Sequence, residues 1–195
     1  MWPDGQGREI LFVTSQPDGS RRIALIDPST GSERTLDART ILEGNDEEIV
    51  DARWSPDGKL IALEVKGDEA GLSYVWNPAT GEVRALNFQE LAGSRSPRWD
   101  PSGEWLYFIP GLLTLDKPEE GLYAFRVSDA GIYKMLPGVF VAEGIVVTRE
   151  QLLGVSVVGS DQGPQLFAAS LGELKRQGIQ VAHWDRQQGL FVSNK

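Results

Sequence analysis

One segment of the sequence occurs twice, with Trp54 and Trp99 standing 45 residues apart. Residues 53–65 read RWSPDGKLIALEV and residues 98–110 read RWDPSGEWLYFIP, so the Arg-Trp pair, the proline and the glycine keep their relative positions. A repeat of this length indicates similar structural units that bury their apolar faces against their neighbours. This repeat therefore constrains the fold more strongly than any single predicted strand does.

Other segments repeat in phase with this pair. The chain opens with WPDGQGREILFVTS and closes with HWDRQQGLFVSNK, and each has a tryptophan, a turn with glycine and a short apolar run. A second element, an apolar strand followed by a turn and a strand with outward charges, predicts a hairpin. Its turn glycines are Gly31, Gly81 and Gly131. Its copies are IALIDPSTGSERTL at 23–36, SYVWNPATGEVRAL at 73–86 and YAFRVSDAGIYKML at 123–136.

The fourth copy of the hairpin element departs from the pattern. QLFAASLGELKRQ at 165–177 keeps the apolar strand and Gly172 but has no proline, so LGELKRQ fits either a hairpin or a helical turn. The segment before it, VFVAEGIVVTREQ, has neither tryptophan nor proline. The ends of the strands in this unit are therefore not fixed by the repeat.

Each unit is predicted to contain four antiparallel strands in about 45 residues, which is typical of a propeller blade. Strands within 60–65 and 106–109 are apolar on both alternating faces, as expected for blades packed on both sides. We predict that the aromatic side chains lie between blades. These are Trp54, Trp99, Trp105, Tyr107 and Trp184. The predicted units are 1–47, 48–92, 93–137 and 138–180, with a partial unit at 181–195, all in one domain.

RWSPDGKLIALEV followed by YVWNPATGEVRAL resembles the TolB-like, WD-type β-propeller repeat family. The resemblance is strongest over residues 49–137, fair over 1–36 and weak over 138–180. It implies an all-β fold, a β-propeller of about four four-stranded antiparallel blades plus a partial fifth, in a periplasmic or extracellular protein. The same repeat occurs in TolB and in propeller domains of prolyl oligopeptidase-class peptidases. The resemblance identifies a type of repeat and no particular protein.

The number of repeats raises a question of ring closure. Four repeats extend from Trp2 to Trp184, and residues 184–195 start a fifth. Three arrangements satisfy this count: a piece of a larger propeller, a five-bladed ring with one degenerate blade, or an open array that closes through another copy. We expect the first, because neither terminus resembles a natural beginning or end.

Composition restricts the partners. The formal net charge of −9 and the pI near 4.7 oppose binding to nucleic acid or anionic lipid. The absence of cysteine excludes disulfides, thiolate metal sites and cysteine nucleophiles. No run approaches the roughly 18 apolar residues of a membrane span. We therefore predict neither nucleic-acid binding nor membrane insertion by this chain.

Catalytic patterns are missing from the sequence. His183 is the single histidine, and GVSVVG at 154–159 lacks the second glycine of G-x-S-x-G. No calcium-loop or zinc spacing is present, and the acidic run Glu43, Asp46, Glu47 and Glu48 reads as a solvated loop between blades, with cation binding as the alternative. We predict no catalytic residue, no metal and no cofactor. A lyase or glycosidase propeller would need clustered acids and cations that the sequence does not locate.

One set of cations forms a candidate ligand-binding site. Arg53, Arg98 and His183 directly precede tryptophan in three units. Alternation places Arg53 and Trp54 on opposite faces, so cations on innermost strands would converge near the central channel if the tryptophans pack between blades. We predict that this site receives an anion, either a carboxylate ligand or an acidic side chain of a partner. In the alternative interpretation each arginine pairs with an acid such as Asp51 or Asp100 and only orders its blade.

The expected function is non-catalytic binding. The propeller would present its channel face and loops to a protein, peptide or glycan partner. The alternative is an accessory, gating propeller of a prolyl oligopeptidase-class peptidase or another hydrolase, with the catalytic domain outside this chain. Self-association is expected if the propeller is incomplete.

Overall fold

The computed structural model of the chain describes residues 2–3, 9–15, 17, 21–37, 48–66, 71–88, 91, 93–110, 121–136, 141–157 and 164–194. Nearly all regular structure in these residues is antiparallel β-sheet. Within them, no helix is long and apolar enough to cross a membrane. The acidic residues Glu43, Asp46 and Glu47 lie outside the described residues, whereas Glu48 forms an ion pair with Arg21 at 2.5 Å.

Sheets A and B each contain four strands paired in chain order. Gly31 and Gly81 occupy the turns between their third and fourth strands with φ of 70° and 78°, as the repeated hairpin element predicts. Sheet A consists of β1 (Trp2–Pro3), β2 (Ile10–Ser15), β3 (Arg21–Ile26) and β4 (Glu33–Asp37). Sheet B consists of β5 (Glu48–Trp54), β6 (Ile61–Lys66), β7 (Leu72–Trp76) and β8 (Val83–Ala85).

Sheet C begins with the third unit of the repeat. Its first four strands are β9 (Ser94–Trp99), β10 (Trp105–Pro110), β11 (Leu122–Arg126) and β12 (Gly131–Leu136). Here the turn is shifted by one residue, because Ala130 has the positive φ of 51° and Gly131 starts β12.

Sheet D differs from the other sheets because it has three strands. These are β13 (Val141–Val147), β14 (Gln151–Val157) and β15 (Pro164–Ser170). Helix α1 (Leu171–Gln177) follows β15, so the helical alternative for LGELKRQ is the observed one. Leu171 and Leu174 are the buried residues of α1, and they pack in the apolar cluster between sheets C and D.

The last two strands return to sheet C. β16 (Ile179–Asp185) pairs with β12, and β17 (Leu190–Ser193) pairs with β16, which extends sheet C to six strands. The sequence predicts a partial fifth unit here, and the structure instead places this hairpin on the outer edge of the third sheet. Its apolar side chains explain the location, since Ala182 and Phe191 are buried against sheet C and Phe191 meets Phe125 edge to face at 6.0 Å.

Three apolar clusters join the four sheets in series. One lies between sheets A and B, one between B and C, and one between C and D. In β6, Ile61 and Leu63 face sheet A whereas Ala62 faces sheet C. Sheets B and C therefore each pack one face on the sheet before them in the chain and the other face on the sheet after them. The all-β prediction and the burial of strands on both faces are confirmed.

The aromatic residues occupy the predicted positions between sheets. Trp54 lies in the cluster between sheets A and B. Trp99 and Trp184 pack against the cluster between sheets B and C. Trp105 and Tyr107 lie in the cluster between sheets C and D. Tyr107 is fully buried, and burial together with nearby Asp100 raises the pKa of its hydroxyl far above its usual range.

Candidate functional site

The first strands of sheets B and C bring two of the three predicted cations together. Asp51 Oδ2 lies 2.7 Å from Arg53 Nε and 3.6 Å from Arg98 Nη1, so one carboxylate serves both guanidinium groups. The indole Nε1 of Trp99 also donates a hydrogen bond to the backbone oxygen of Arg53 at 3.3 Å. We call Asp51, Arg53, Glu64 and Arg98 the arginine cluster.

Strand alternation places Arg53 and Trp54 on opposite faces of β5, as the sequence predicts. Trp54 packs toward sheet A, so Arg53, its neighbour, projects from the other face of β5. Asp51 and Glu64 are cross-strand partners in the β5–β6 ladder, which places both carboxylates on the same face. Glu64 in turn accepts a hydrogen bond from the backbone N–H of Ser96 at 3.0 Å, and Ser96 has a positive φ of 53°.

Within the arginine cluster, Arg53 is more accessible to solvent than Arg98. Burial, and then the nearby charge of Arg53, lower the pKa of Arg98, while Asp51 and Glu64 oppose that shift. Arg98 stays a cation at neutral pH, because arginine is not deprotonated in proteins. The Arg53 side chain is 41% exposed, against 25% for Arg98. Its Nε bonds Asp51, and its two terminal NH2 groups have no hydrogen-bond partner among the described residues.

His183 does not join these arginines. It lies on β16 opposite Gly131 of β12, and its Nδ1 is 2.8 Å from Asn194 Oδ1. Four strand spacings separate β16 from β9 in sheet C, or about 19 Å. The position before tryptophan is therefore shared in sequence and not in space. The structure places Arg53 and Arg98 at one site and His183 at the outer edge of sheet C.

Asp100 takes a different partner from the one the sequence suggests. Its carboxylate, 1% exposed, accepts from Lys175 Nζ at 2.7 Å and from Ser102 Oγ at 2.7 and 2.9 Å. Of the two acids proposed as arginine partners, Asp51 bonds arginine and Asp100 bonds lysine. This pair joins helix α1 to the turn after Trp99.

Glu64 is the member of the site that sequence reasoning missed. The signal was present, since Glu64 is the one charged residue within the otherwise apolar run 60–65. A carboxylate in a strand packed on both faces needs a polar partner. That partner, the Ser96 amide, comes from the neighbouring sheet and has no sequence signature.

The described residues show no arrangement for hydrolysis or metal binding. Ser156 lies within the β14 ladder, paired with Val141 and Gln165, and not at a turn. In the part of the chain that the structure describes, no group of three or more histidine, cysteine, aspartate or glutamate residues could hold a metal ion.

The series of antiparallel sheets, packed face to face through inner tryptophans, defines the fold as a β-propeller. No protein-family model matches the sequence, and no curated protein matches it. Solved structures do match at the level of the fold. TolB from Acinetobacter baumannii is 17% identical, and the match covers 88% of this chain and 40% of TolB with a TM-score of 0.58. The tricorn protease is 15% identical, and the match covers 92% of this chain and 22% of the protease with a TM-score of 0.56. A prolyl endopeptidase is 12% identical, and the match covers 95% of this chain and 30% of the endopeptidase with a TM-score of 0.65. The chain spans less than two thirds of the length of each of these proteins.

Proposed function

We propose that the protein is a non-catalytic propeller module that binds an acidic group of a protein or peptide partner at the arginine cluster. The observation that carries this proposal is the exposed Arg53, whose terminal NH2 groups have no partner among the described residues. A planar guanidinium with free donors matches a carboxylate in bidentate geometry. A periplasmic or extracellular location is part of the proposal and rests on the resemblance to TolB-like repeats.

The net charge of the protein limits this interaction to short range. At −9 the chain repels anions at a distance, but about 0.15 M salt screens charges more than about 8 Å apart. A direct guanidinium–carboxylate contact persists under these conditions because it depends on nearby groups. Binding should therefore be measured at physiological salt concentration.

The test uses a hexaglutamate peptide as the probe and the indole N–H of Trp99 as the reporter, since that group bonds the Arg53 backbone. We expect the peptide to shift the NMR signal of this indole, and a hexaglutamine peptide to leave it unchanged. Arg53→Ala should weaken binding by about 10-fold or more, because a hydrogen bond to a charged group contributes about 1.5–3 kcal/mol.

The matched control is Arg34→Ala, which removes an arginine that is 50% exposed and paired with Glu9 at 2.5 Å on sheet A. We expect this variant to bind the peptide as the unmodified protein does. Equal affinity of the Arg53→Ala/Arg98→Ala double variant and the unmodified protein would exclude the arginine cluster as the binding site.

A second candidate is an accessory domain of a peptidase or another hydrolase. The similarity to a prolyl endopeptidase over 95% of this chain favours it, and the catalytic serine would then lie outside residues 1–195. Labelling of the full-length gene product with a fluorophosphonate, followed by peptide mapping, tests this. A labelled serine in a flanking segment supports the accessory role, and an unlabelled product supports the binding module.

A further inference from the structure

The carboxylate of Asp51 already occupies part of the arginine cluster. Its Oδ2 atom lies 2.7 Å from Arg53 Nε and 3.6 Å from Arg98 Nη1. Its Oδ1 atom accepts a hydrogen bond from the backbone N–H of Ala52 at 3.0 Å. A carboxylate held between two guanidinium groups has the position that the carboxylate of a ligand would take.

The donors that remain on the two arginines show what Asp51 blocks. Nε of Arg53 bonds Asp51, so a ligand meets only the two terminal NH2 groups of this guanidinium. Nη1 of Arg98 donates to the backbone oxygen of Pro97 at 2.8 Å, and its Nε and Nη2 have no hydrogen-bond partner among the described residues. Because a guanidinium binds a carboxylate best through two parallel N–H groups, Asp51 removes one bidentate edge of Arg53 from any ligand.

The second acid of the cluster does not compete in this way. Glu64 accepts the backbone N–H of Ser96 at 3.0 Å, so its carboxylate is held by the neighbouring sheet. Two arginines and two acids make the cluster formally neutral while Asp51 is in place. A ligand carboxylate would then be a third negative charge, repelled by Asp51 at short range. Movement of Asp51 away from the arginines relieves this repulsion.

We propose that Asp51 is an internal competitor of the ligand: its carboxylate occupies the anion position between Arg53 and Arg98, and a ligand carboxylate binds by displacing it. This inference rests on the proposed function, because it assigns the residue that limits affinity at the same site. Internal pairing and anion binding are then two states of one site.

The central variant is Asp51→Asn, which removes the charge and keeps an oxygen that can accept from the Ala52 N–H. We expect it to bind the hexaglutamate peptide about 10-fold more tightly than the unmodified protein does, because the Nε edge of Arg53 becomes free for the ligand. Titration in about 0.15 M salt, followed through the indole N–H signal of Trp99, gives both dissociation constants.

The matched control is Glu48→Gln. Glu48 lies on β5, as Asp51 does, and also pairs with an arginine, since its carboxylate is 2.5 Å from Arg21. Either substitution reduces the net charge of −9 by one unit. Glu48 is roughly 10 Å along the strand from Asp51, beyond the screening length of about 8 Å. We therefore expect Glu48→Gln to bind the peptide within about 2-fold of the unmodified protein.

Displacement of Asp51 can also be measured in the unmodified protein. The carbon-13 NMR signal of the Asp51 side-chain carboxyl group reports its contacts with the arginines. We expect this signal to move as hexaglutamate is added, in step with the indole N–H signal of Trp99. This measurement requires no variant, so it does not depend on the folding of Asp51→Asn, which circular dichroism and thermal melting check separately.

The outcomes distinguish this inference from the proposed function. Peptide binding that depends on Arg53 but is not strengthened in folded Asp51→Asn would overturn the inference and leave the proposed function intact. A constant Asp51 carboxyl signal during peptide binding, or equal strengthening by Glu48→Gln, would do the same. Binding by Asp51→Asn alone would support the internal competitor and contradict ligand binding by the unmodified chain. Absence of binding by both proteins would overturn both.

Discussion

The turns that follow Trp54 and Trp99 have the same backbone and exchanged side chains. In sheet B the turn reads Ser-Pro-Asp-Gly from Ser55, and in sheet C it reads Asp-Pro-Ser-Gly from Asp100. Both keep a serine-to-aspartate hydrogen bond, at 2.7 Å in sheet B and at 2.7 and 2.9 Å in sheet C.

The exchange moves the charge to a different environment. In sheet B the buried member is the neutral Ser55, 1% exposed, and Asp57 is at the surface beside Lys59. In sheet C the buried member is Asp100, so its charge is removed from water. A buried carboxylate needs a counter-charge, and Lys175 of α1 supplies it. The aspartate of the turn in sheet B therefore needs no counter-charge from a distant element, whereas the aspartate of the turn in sheet C depends on Lys175 of α1.

The largest expected effect comes from breaking this dependence. Lys175→Met should lower the free energy of unfolding by about 2 kcal/mol, because it leaves Asp100 buried without its cation. The control Lys59→Met removes a lysine whose side chain is 78% exposed beside Asp57, and should change stability by less than about 0.5 kcal/mol. Urea denaturation of both variants measures the difference. Equal losses would show that burial of the partner does not matter.

A smaller effect is expected when the turn of sheet C is given the sequence of sheet B. In the double variant Asp100→Ser/Ser102→Asp the buried position of the turn is neutral. Adding Lys175→Met to this variant should therefore lower the free energy of unfolding by less than about 1 kcal/mol. A double-mutant cycle in urea gives this value. An unchanged cost of Lys175→Met in the exchanged background would contradict the role of Asp100.

The smallest effect concerns acid. Burial alone would raise the pKa of Asp57, but hydrogen bonds from Ser55 and Lys59 and the charge of Lys59 lower it below its usual value. A lowered folded-state pKa means that Asp57 stabilises the fold above its unfolded pKa of about 3.9, and that this contribution is lost as pH falls through the folded value.

Thermal melting of Asp57→Asn between pH 6 and pH 2 tests this sign, with pH values chosen to span about two units on either side of the unfolded pKa. The difference in Tm from the unmodified protein should be largest near pH 6 and shrink toward pH 2. The difference stays small throughout, since the Asp57 side chain is 40% exposed. A difference in Tm that is constant over this pH range would show that protonation of Asp57 does not change the stability of the fold.

Much of the fold could be predicted because it rests on local alternation. Leu60 to Val65 and Leu106 to Ile109 are apolar on both faces, and the structure buries them between sheets. The turn glycines Gly31 and Gly81 were predictable because their conformation requires positive φ. Gly131 was misassigned, since Ala130 takes the positive φ there.

The last quarter of the chain could not be predicted because its placement depends on tertiary contacts. HWDRQQGLFVSNK does form a hairpin, as its pattern predicts, but alternation does not specify which sheet edge it joins. That edge is fixed by burial of Ala182 and Phe191 against sheet C and by the Arg84 guanidinium over the Trp184 ring at 5.4 Å. His183 therefore shares the sequence position of Arg53 and Arg98 without sharing their site.

The six-stranded sheet also sets an order of events during synthesis. Sheet C consists of residues 94–136 and 179–193, with all of sheet D made between them. At usual rates of translation, β12 emerges roughly 2 to 8 s before β16 and presents an unpaired strand edge during that time. Sheets A and B form from contiguous segments, whereas completion of sheet C waits for a long-range pairing. The nascent chain is thus most exposed to mispairing at β12, after two sheets have formed and before the final hairpin arrives.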